Sequence, residues 1–471
     1  MSNKNNFWSI TIVYSVGFLS LRAISFLLLP LYTNLLTTKE AGYVFILYTI
    51  LAFLNTLYNH GMDSSLLKFY NPKHSKKIIS TSIIYSIIYG FILSGILFFF
   101  LIIGDNPLLG YFREVVRYFE IHEIAQLLLC ILFCDMLSSR LMTIIRLLEK
   151  PFYFLLVSFV NVGFSLYLNI YFIKILNMGF GGALLSMVGV SMIQLLLLSP
   201  LIIMNLKFTL FDYDLLKKMV VFSIPFLPAS IFFIMIEMAD RLMLGWLSSV
   251  ENVGLYGAGY KIGAIILLVV RAFNLNWQPF YLKEKHENNV QAFKNIGERF
   301  IVILIFISTL ISMLWLLLFQ VNINGTFLIG KEFWGGGSII PVVALSYLIY
   351  GVFILQMPSI YIKNKQNWVP YFWGLGFVVN IIMNYTLIPI YGFYGAAIST
   401  LSSYLAMTIF LIYKNQEWLP IKYKLNDIIY IATISIIALY CHNQGIVYLP
   451  ILFIIYSTLS IIKIIAMKKT I

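Results

Sequence analysis

Long apolar segments alternate with short polar ones from end to end of this chain. Fourteen segments are long enough to be membrane helices, at 8–35, 41–62, 79–103, 119–147, 152–176, 180–205, 217–248, 254–281, 300–320, 337–360, 369–390, 393–413, 428–444 and 447–467. A spanning helix needs roughly 20 apolar residues, and most of these supply them. The thirteenth is short and carries His442 and Asn443. The pattern predicts an all-α polytopic membrane protein of about 14 transmembrane helices.

Basic residues sort onto alternate loops, which tests the count, because an omitted helix would invert the alternation beyond it. Lys68, Lys73, Lys76 and Lys77, then Arg140, Arg146 and Lys150, then Lys207, Lys217 and Lys218 fall on one side, and the later loops continue the series. Lys39, Arg113, Arg117, Lys174 and Lys331 fall on the other. The richer side is expected to be cytoplasmic, with both termini there. The net charge of +13 then reflects topology and anionic lipid, and no nucleic-acid partner is called for.

Composition agrees: 61% hydrophobic and 11% charged residues, with a mean hydropathy of +0.90, describe a chain whose solvent is the bilayer. The first apolar segment is too long for a signal-peptide core and lacks a small-residue cleavage site, so it is expected to be retained. Cys130 and Cys134 lie one turn apart and Cys441 far away, which suits packing. The five histidines are scattered and form no metal motif. Gly325 to Lys331 imitates a phosphate loop, but Glu332 stands where a Ser or Thr is required, so ATP hydrolysis is excluded. The longest internal stretches, near 206–218 and 282–299, are too small for a folded catalytic domain, and a non-enzyme is expected.

The chain repeats itself at an offset of about 212 residues. Leu35 to Tyr43 matches Leu247 to Leu255, and Gly179 to Ala183 matches Gly392 to Ala396. Six helices separate the repeats, an even number, so the two halves enter the membrane in the same sense. The expected organisation is a six-helix bundle at 1–206, a second parallel bundle at 207–415 and two further helices at 416–471. Paired parallel bundles suit a transporter that works by alternating access.

The stretch Ser25 to Tyr43, the run Phe222 to Leu244, Gly254-Leu255-Tyr256, Gly330 to Phe333 and the turn Tyr391 to Ala397 together resemble the polysaccharide-biosynthesis and O-antigen flippases of the multidrug/oligosaccharidyl-lipid/polysaccharide superfamily. The resemblance implies a V-shaped helical fold like that of the superfamily's multidrug exporters, a bacterial inner-membrane location, and an undecaprenyl-pyrophosphate-linked oligosaccharide as cargo. Membrane lipids are implied partners, with a polysaccharide polymerase and glycosyltransferases as candidates. A cation-coupled multidrug antiporter and a lipid II flippase are the alternatives within the same superfamily.

Such a cargo carries an anionic pyrophosphate and a large polar head, and neither crosses hydrocarbon without a hydrated, cation-bearing path. Four basic residues fall inside the apolar segments: Arg22, Arg241, Lys261 and Arg271. In the resembling family the first two helices of each half line the cavity, so all four are candidate substrate contacts, arginine being suited to bidentate grip on phosphate. Arg22 stands near the middle of its segment with no acid within a turn. Arg241 lies four residues after Glu237, so an internal ion pair competes with ligand binding. Arg271 and Lys261 could instead snorkel to headgroups. Glu237, Asp240 and Asp135 are the deepest acids and are candidates for proton or sodium coupling, the other reading being that they neutralise nearby cations. No cofactor is expected. Pro225 and Pro228 predict a bend near the start of the seventh segment.

Overall fold

The computed structural model describes residues 13–14, 16–17, 20–21, 24–102, 120–283, 290–323, 325–443 and 454–462. Almost all of them are helical. Apart from a two-residue hairpin, β1 (Asn322–Ile323) with β2 (Thr326–Phe327), no strand occurs among them. Helices satisfy their own backbone hydrogen bonds, which is why an apolar chain in lipid is built from them.

Nine helices among the described residues are long and apolar enough to cross a membrane, and eleven if each of two bent pairs forms one span. The eleven coincide with the second to twelfth segments expected from sequence. The first and thirteenth overlap shorter apolar helices, Ile24–Leu35 and Asn426–Cys441, and the fourteenth is described only at 454–462. The described residues therefore support up to eleven spans and leave the full count of fourteen as an expectation.

The chain divides into two compact units, Met1–Ile231 and Phe232–Ile471. The first contains α1 (Leu29–Leu35), α2 (Thr38–Asn59), α3 (Met62–Phe69), α4 (Ser75–Ile102), α5 (Ile121–Leu147), α6 (Pro151–Asn169), α7 (Gly179–Asn205) and α8 (Tyr213–Ser223). A π-helical turn, Ile170–Ile175, extends α6. Its core joins Met62, Leu66, Ile79, Leu141, Ile145 and Met219, drawing α3, α4, α5 and α8 together. The Ser65 hydroxyl donates to Met219 O at 2.8 Å, and the Lys68 ammonium lies 3.7 Å from the centre of the Phe222 ring, fixing α3 on α8.

The second unit contains most of α9 (Phe226–Leu247), then α10 (Val250–Gly263), α11 (Ile265–Lys283), α12 (Val290–Gln320), α13 (Ile340–Gln356), α14 (Pro358–Ile362), α15 (Val369–Tyr391), α16 (Phe393–Trp418) and α17 (Leu425–Asn443). Here α13 packs on α16, as α5 packs on α7 in the first unit.

The repeat read from sequence reappears as local structure. Thr37 caps α2 by accepting from Glu40 N–H, and Ser249 caps α10 by accepting from Asn252 N–H. Gly179 opens α7 at φ +53° and Gly392 opens α16 at φ +54°, a left-handed conformation that glycine adopts without steric cost.

Two expected helices are broken. The seventh segment divides between α8 and α9 at Ile224 and Pro225, as the prolines predict, since proline lacks the N–H that would continue the ladder. The eighth, expected as one helix over 254–281, bends by 43° between α10 and α11. No proline marks that break. The ladder gives way at Ala264, whose carbonyl accepts from Leu267 N–H in a three-residue turn.

Candidate functional site

Glu237, Asp240 and Arg241 occupy positions i, i+3 and i+4 of α9 and so share one face. All three are buried: Asp240 is 0% exposed, and Glu237 and Arg241 are each 7% exposed. Arg241 Nη1 donates to Asp240 Oδ1 at 3.1 Å and to the Glu237 carbonyl oxygen at 2.9 Å. The ion pair anticipated between Arg241 and the Glu237 carboxylate is made with Asp240 instead, because the short aspartate beside the arginine reaches the guanidinium first. The Arg241 guanidinium also lies over the Tyr260 ring, 4.3 Å from its centre, and 5.6 Å from that of Tyr256.

Four phenols complete the cluster. Tyr256 donates to Asp240 Oδ2 through a short hydrogen bond. The Glu237 carboxylate accepts from two hydroxyls: Tyr404 on Oε1 and Tyr347 on Oε2, the latter at 3.1 Å. The Tyr347 and Tyr260 hydroxyls are themselves hydrogen-bonded. Two carboxyl groups, one guanidinium and four phenols from α9, α10, α13 and α16 therefore form one connected network in a single unit. Within the network Arg241 contacts Asp240, while the Glu237 carboxylate is held by two hydroxyl donors.

The other sequence candidates are spread more widely. Lys261 follows Tyr260 on α10, is partly buried and lies within electrostatic range of Arg241, at the edge of the network. Arg271 lies on α11, partly buried, 5.9 Å from the centre of the Phe233 ring, and makes no ion pair among the described residues. Arg22 falls outside the described residues. Asp135 belongs to the first unit. On α5 it accepts from Ser191 Oγ of α7 at 2.6 Å, while Asn55 Nδ2 of α2 lies 3.4 Å from its other oxygen.

Sequence reasoning missed two features. Tyr256, Tyr260, Tyr347 and Tyr404 carry no sequence signal that sets them apart from the chain's other aromatics, beyond the one-turn spacing of Tyr256 and Tyr260. Arg140 counts with the basic loops by position. Yet Arg140 is 1% exposed, with Nη1 2.5 Å from Asp63 Oδ1 and Nε 3.3 Å from Ser86 Oγ. Ser139 Oγ donates to the second Asp63 oxygen at 2.8 Å.

Known proteins place the fold. A lipid II flippase MurJ in an inward closed conformation superposes with a TM-score of 0.70 over 98% of each chain at 14% identity. An inward-facing multidrug resistance MATE family transporter of the MOP superfamily gives a TM-score of 0.64 over 86% of this chain and 97% of its own, at 11% identity. The Vibrio cholerae MATE transporter VcmN in its bent form gives 0.51 over 88% and 96%, at 14% identity. Identities this low establish a shared polytopic fold and nothing about cargo. No curated protein matches the chain. The sequence profile described as "Polysaccharide biosynthesis protein" matches residues 7–280, more than half of the chain. The chain belongs to the polysaccharide biosynthesis protein family, and its fold is similar to those of MurJ and the MATE transporters.

Proposed function

We propose that the protein is a flippase that carries an undecaprenyl-pyrophosphate-linked oligosaccharide from the inner to the outer leaflet of the bacterial cytoplasmic membrane, by alternating access, for surface polysaccharide synthesis. The observation that carries this reading is the polysaccharide-biosynthesis sequence match over 7–280 on a polytopic transporter fold. The basic residues inside apolar segments add to it, since a cation-lined path favours an anionic cargo over the cationic compounds of a multidrug antiporter.

The cations divide their work. Arg241, held by Asp240 and Tyr260, serves as the internal counter-ion of the acid network. The pyrophosphate contacts fall to Arg22, Lys261 and Arg271. Glu237, with Asp240 beside it, takes the proton or sodium ion whose gradient resets the carrier, and Asp135 is the candidate for the same role in the first unit. Membrane lipids surround the protein, and the polymerase and glycosyltransferases of the same polysaccharide are the partners to seek. Lipid II is the second cargo reading, favoured by the MurJ likeness over 98% of both chains, and it shares the pyrophosphate.

The test is genetic. In a strain lacking the protein, surface polysaccharide should disappear while the lipid-linked oligosaccharide accumulates on the cytoplasmic side, with drug sensitivity unchanged. Glu237→Gln should reproduce that phenotype at normal membrane abundance. Increased sensitivity to cationic drugs with intact polysaccharide would replace this reading with the antiporter, and loss of viability with intact polysaccharide would favour lipid II.

A further inference from the structure

Outside the acid network, the first unit contains a second polar array that the coupling scheme above leaves unexplained. Among the described residues, Asn55 Oδ1 and Asn59 Oδ1 of α2, Ser82 Oγ of α4, and Ser138 Oγ and Arg140 Nη2 of α5 are buried and have no hydrogen-bond partner. Polar atoms orphaned inside a bundle are ordinarily satisfied by internal water, which needs several polar neighbours in one place. These atoms have them. Asn55 and Asn59 are one turn apart on α2, and Asp63 stands just beyond the break at His60 and Gly61. Opposite them on α5 stand Asp135, Ser138 and Ser139.

Rungs join the two rows at both ends. Asn55 Nδ2 lies 3.4 Å from Asp135 Oδ2 at one end. Ser139 Oγ and Arg140 Nη1 donate to the two Asp63 oxygens at 2.8 and 2.5 Å at the other. Between the rungs lie the unpartnered oxygens of Asn59 and Ser138. The span along α5 from Asp135 to Ser139 is about 6 Å, the rise of four helical residues, a length that one or two waters bridge. Asp63 is 30% exposed, so the array opens at that end.

The geometry points to a water-bearing proton path running from the Asp63 end, the side that the basic loops assign to the cytoplasm, to the Asp135 carboxyl. The step is a protonation: a hydronium at the Asp63 end gives up a proton by breaking one of its O–H bonds, each ordered water accepts one proton and passes another on, and the last transfer forms an O–H bond on the Asp135 carboxylate, leaving every water neutral. Asp135 is suited to receive it. Its contacts are the Ser191 hydroxyl and the Asn55 amide, and no cation touches it among the described residues, because Arg140 is committed to Asp63. The surrounding titratable groups are tied elsewhere or neutral. Tyr58 bonds Ser94, and His60 uses its two ring nitrogens on Tyr58 O at 3.0 Å and the Tyr85 hydroxyl at 3.1 Å. Tyr89 donates to Leu57 O, Tyr153 to Leu197 O, and Cys130 and Cys134 are free thiols on α5 itself. Helix α7 carries no titratable side chain. The proposal rests on proton coupling in the function proposed above and specifies the route.

The test uses the full chain in lipid nanodiscs, without cargo and without sodium, so that it stands or falls apart from flipping. Infrared difference spectra taken on acidification should contain a carboxyl C=O band that is lost in Asp135→Asn and retained in Glu237→Gln. After a pH jump, that band should rise about tenfold more slowly in Asn59→Leu and Ser139→Ala, a tenfold change in rate being one step in barrier height. Its final amplitude should be unchanged, and Asn59→Ser should keep the normal rate. The proposal is overturned if no Asp135-dependent band titrates, if that band responds to sodium instead of pH, or if it rises at the normal rate in both Asn59→Leu and Ser139→Ala. An unchanged rate would leave the water as static filling of a polar seam.

Discussion

Arg140 is the most committed side chain in the first unit, and it sets the cost of disturbing its partner. At 1% exposure it depends on Asp63 for compensation of its charge, while Asp63 itself is 30% exposed on its side chain. Removing one partner of a buried pair strands a charge, at about 3–5 kcal/mol when both groups are buried and less when one meets water. Asp63→Asn should therefore lower stability by roughly 2–4 kcal/mol, measured as a fall in thermal unfolding midpoint in detergent. Asp63→Asn with Arg140→Met should recover much of that loss, as a double-mutant cycle would read. Asp212, outside the spans, gives a pH-linked counterpart. The Leu215 N–H and the Lys77 ammonium hold its carboxyl below the usual carboxylate range. Its folded value is depressed, so its support of the α8 cap is present at neutral pH and lost only as pH falls through that depressed value. Asp212→Ala should abolish that acid-side dependence in an unfolding series. At this scale the sequence disclosed which acids and cations were deep, since charges within apolar segments are conspicuous. It did not disclose which pairs form, because Arg140 meets Asp63 across 77 residues and Glu237 meets Tyr404 across 167.

Helices in a bilayer gain little hydrophobic drive from meeting one another, so close backbone approach matters more than in water. Among the described residues of the second unit, α10 and the short 3₁₀ segment Lys331–Ile339 approach each other backbone to backbone. A Cβ on Gly259 would sit 1.9 Å from Gly336 O, and one on Gly336 would sit 2.0 Å from Leu255 O. Both obstructing atoms are backbone, so neither can swing aside. Gly336→Ala should thus force the segment away from α10 and destabilise the protein by about 1–3 kcal/mol or more, as overpacking does. Gly335→Ala, with nothing within 4 Å of its Cβ, should be near neutral in the same thermal assay. Existence and order of the helices were legible from hydropathy, and the break at Pro225 from the missing N–H. The break at Ala264 was not, because an α-ladder that ends through a three-residue turn leaves no proline or charge in its wake. The glycine contacts were equally silent, for a glycine in an apolar run looks the same whether it packs or not.

Taken as a whole, the chain keeps its two-fold plan below the level of helices. Position 135 answers to 347 and position 191 to 404 at an offset of about 212 residues, the spacing of the repeat. Asp135 and Ser191 hydrogen-bond to each other in the first unit, and Tyr347 and Tyr404 jointly hold Glu237 in the second. In the first unit the acid sits on the fourth span itself and bonds the sixth, whereas in the second Glu237, on the first span of its half, is held by tyrosines of the fourth and sixth. The internal repeat could be read from two short motifs, whereas this echo could not, since an aspartate matching a tyrosine carries no sequence similarity. If both sites take up a proton during the cycle, transport by the Asp135→Asn protein should depend less steeply on pH than that of the unaltered protein, whereas Glu237→Gln stops transport at every pH.

The central claim is movement of a lipid-linked oligosaccharide between leaflets, and purified protein in sealed liposomes tests it most directly. Undecaprenyl-pyrophosphate-linked oligosaccharide is placed in the inner leaflet, a proton gradient is applied, and appearance of the sugar outside is followed with a membrane-impermeant lectin. Sugar exposure should require the protein, be abolished by Glu237→Gln and be strongly reduced by Arg22→Ala. Exposure at the rate of protein-free liposomes, with a cationic drug transported instead under the same gradient, would contradict it.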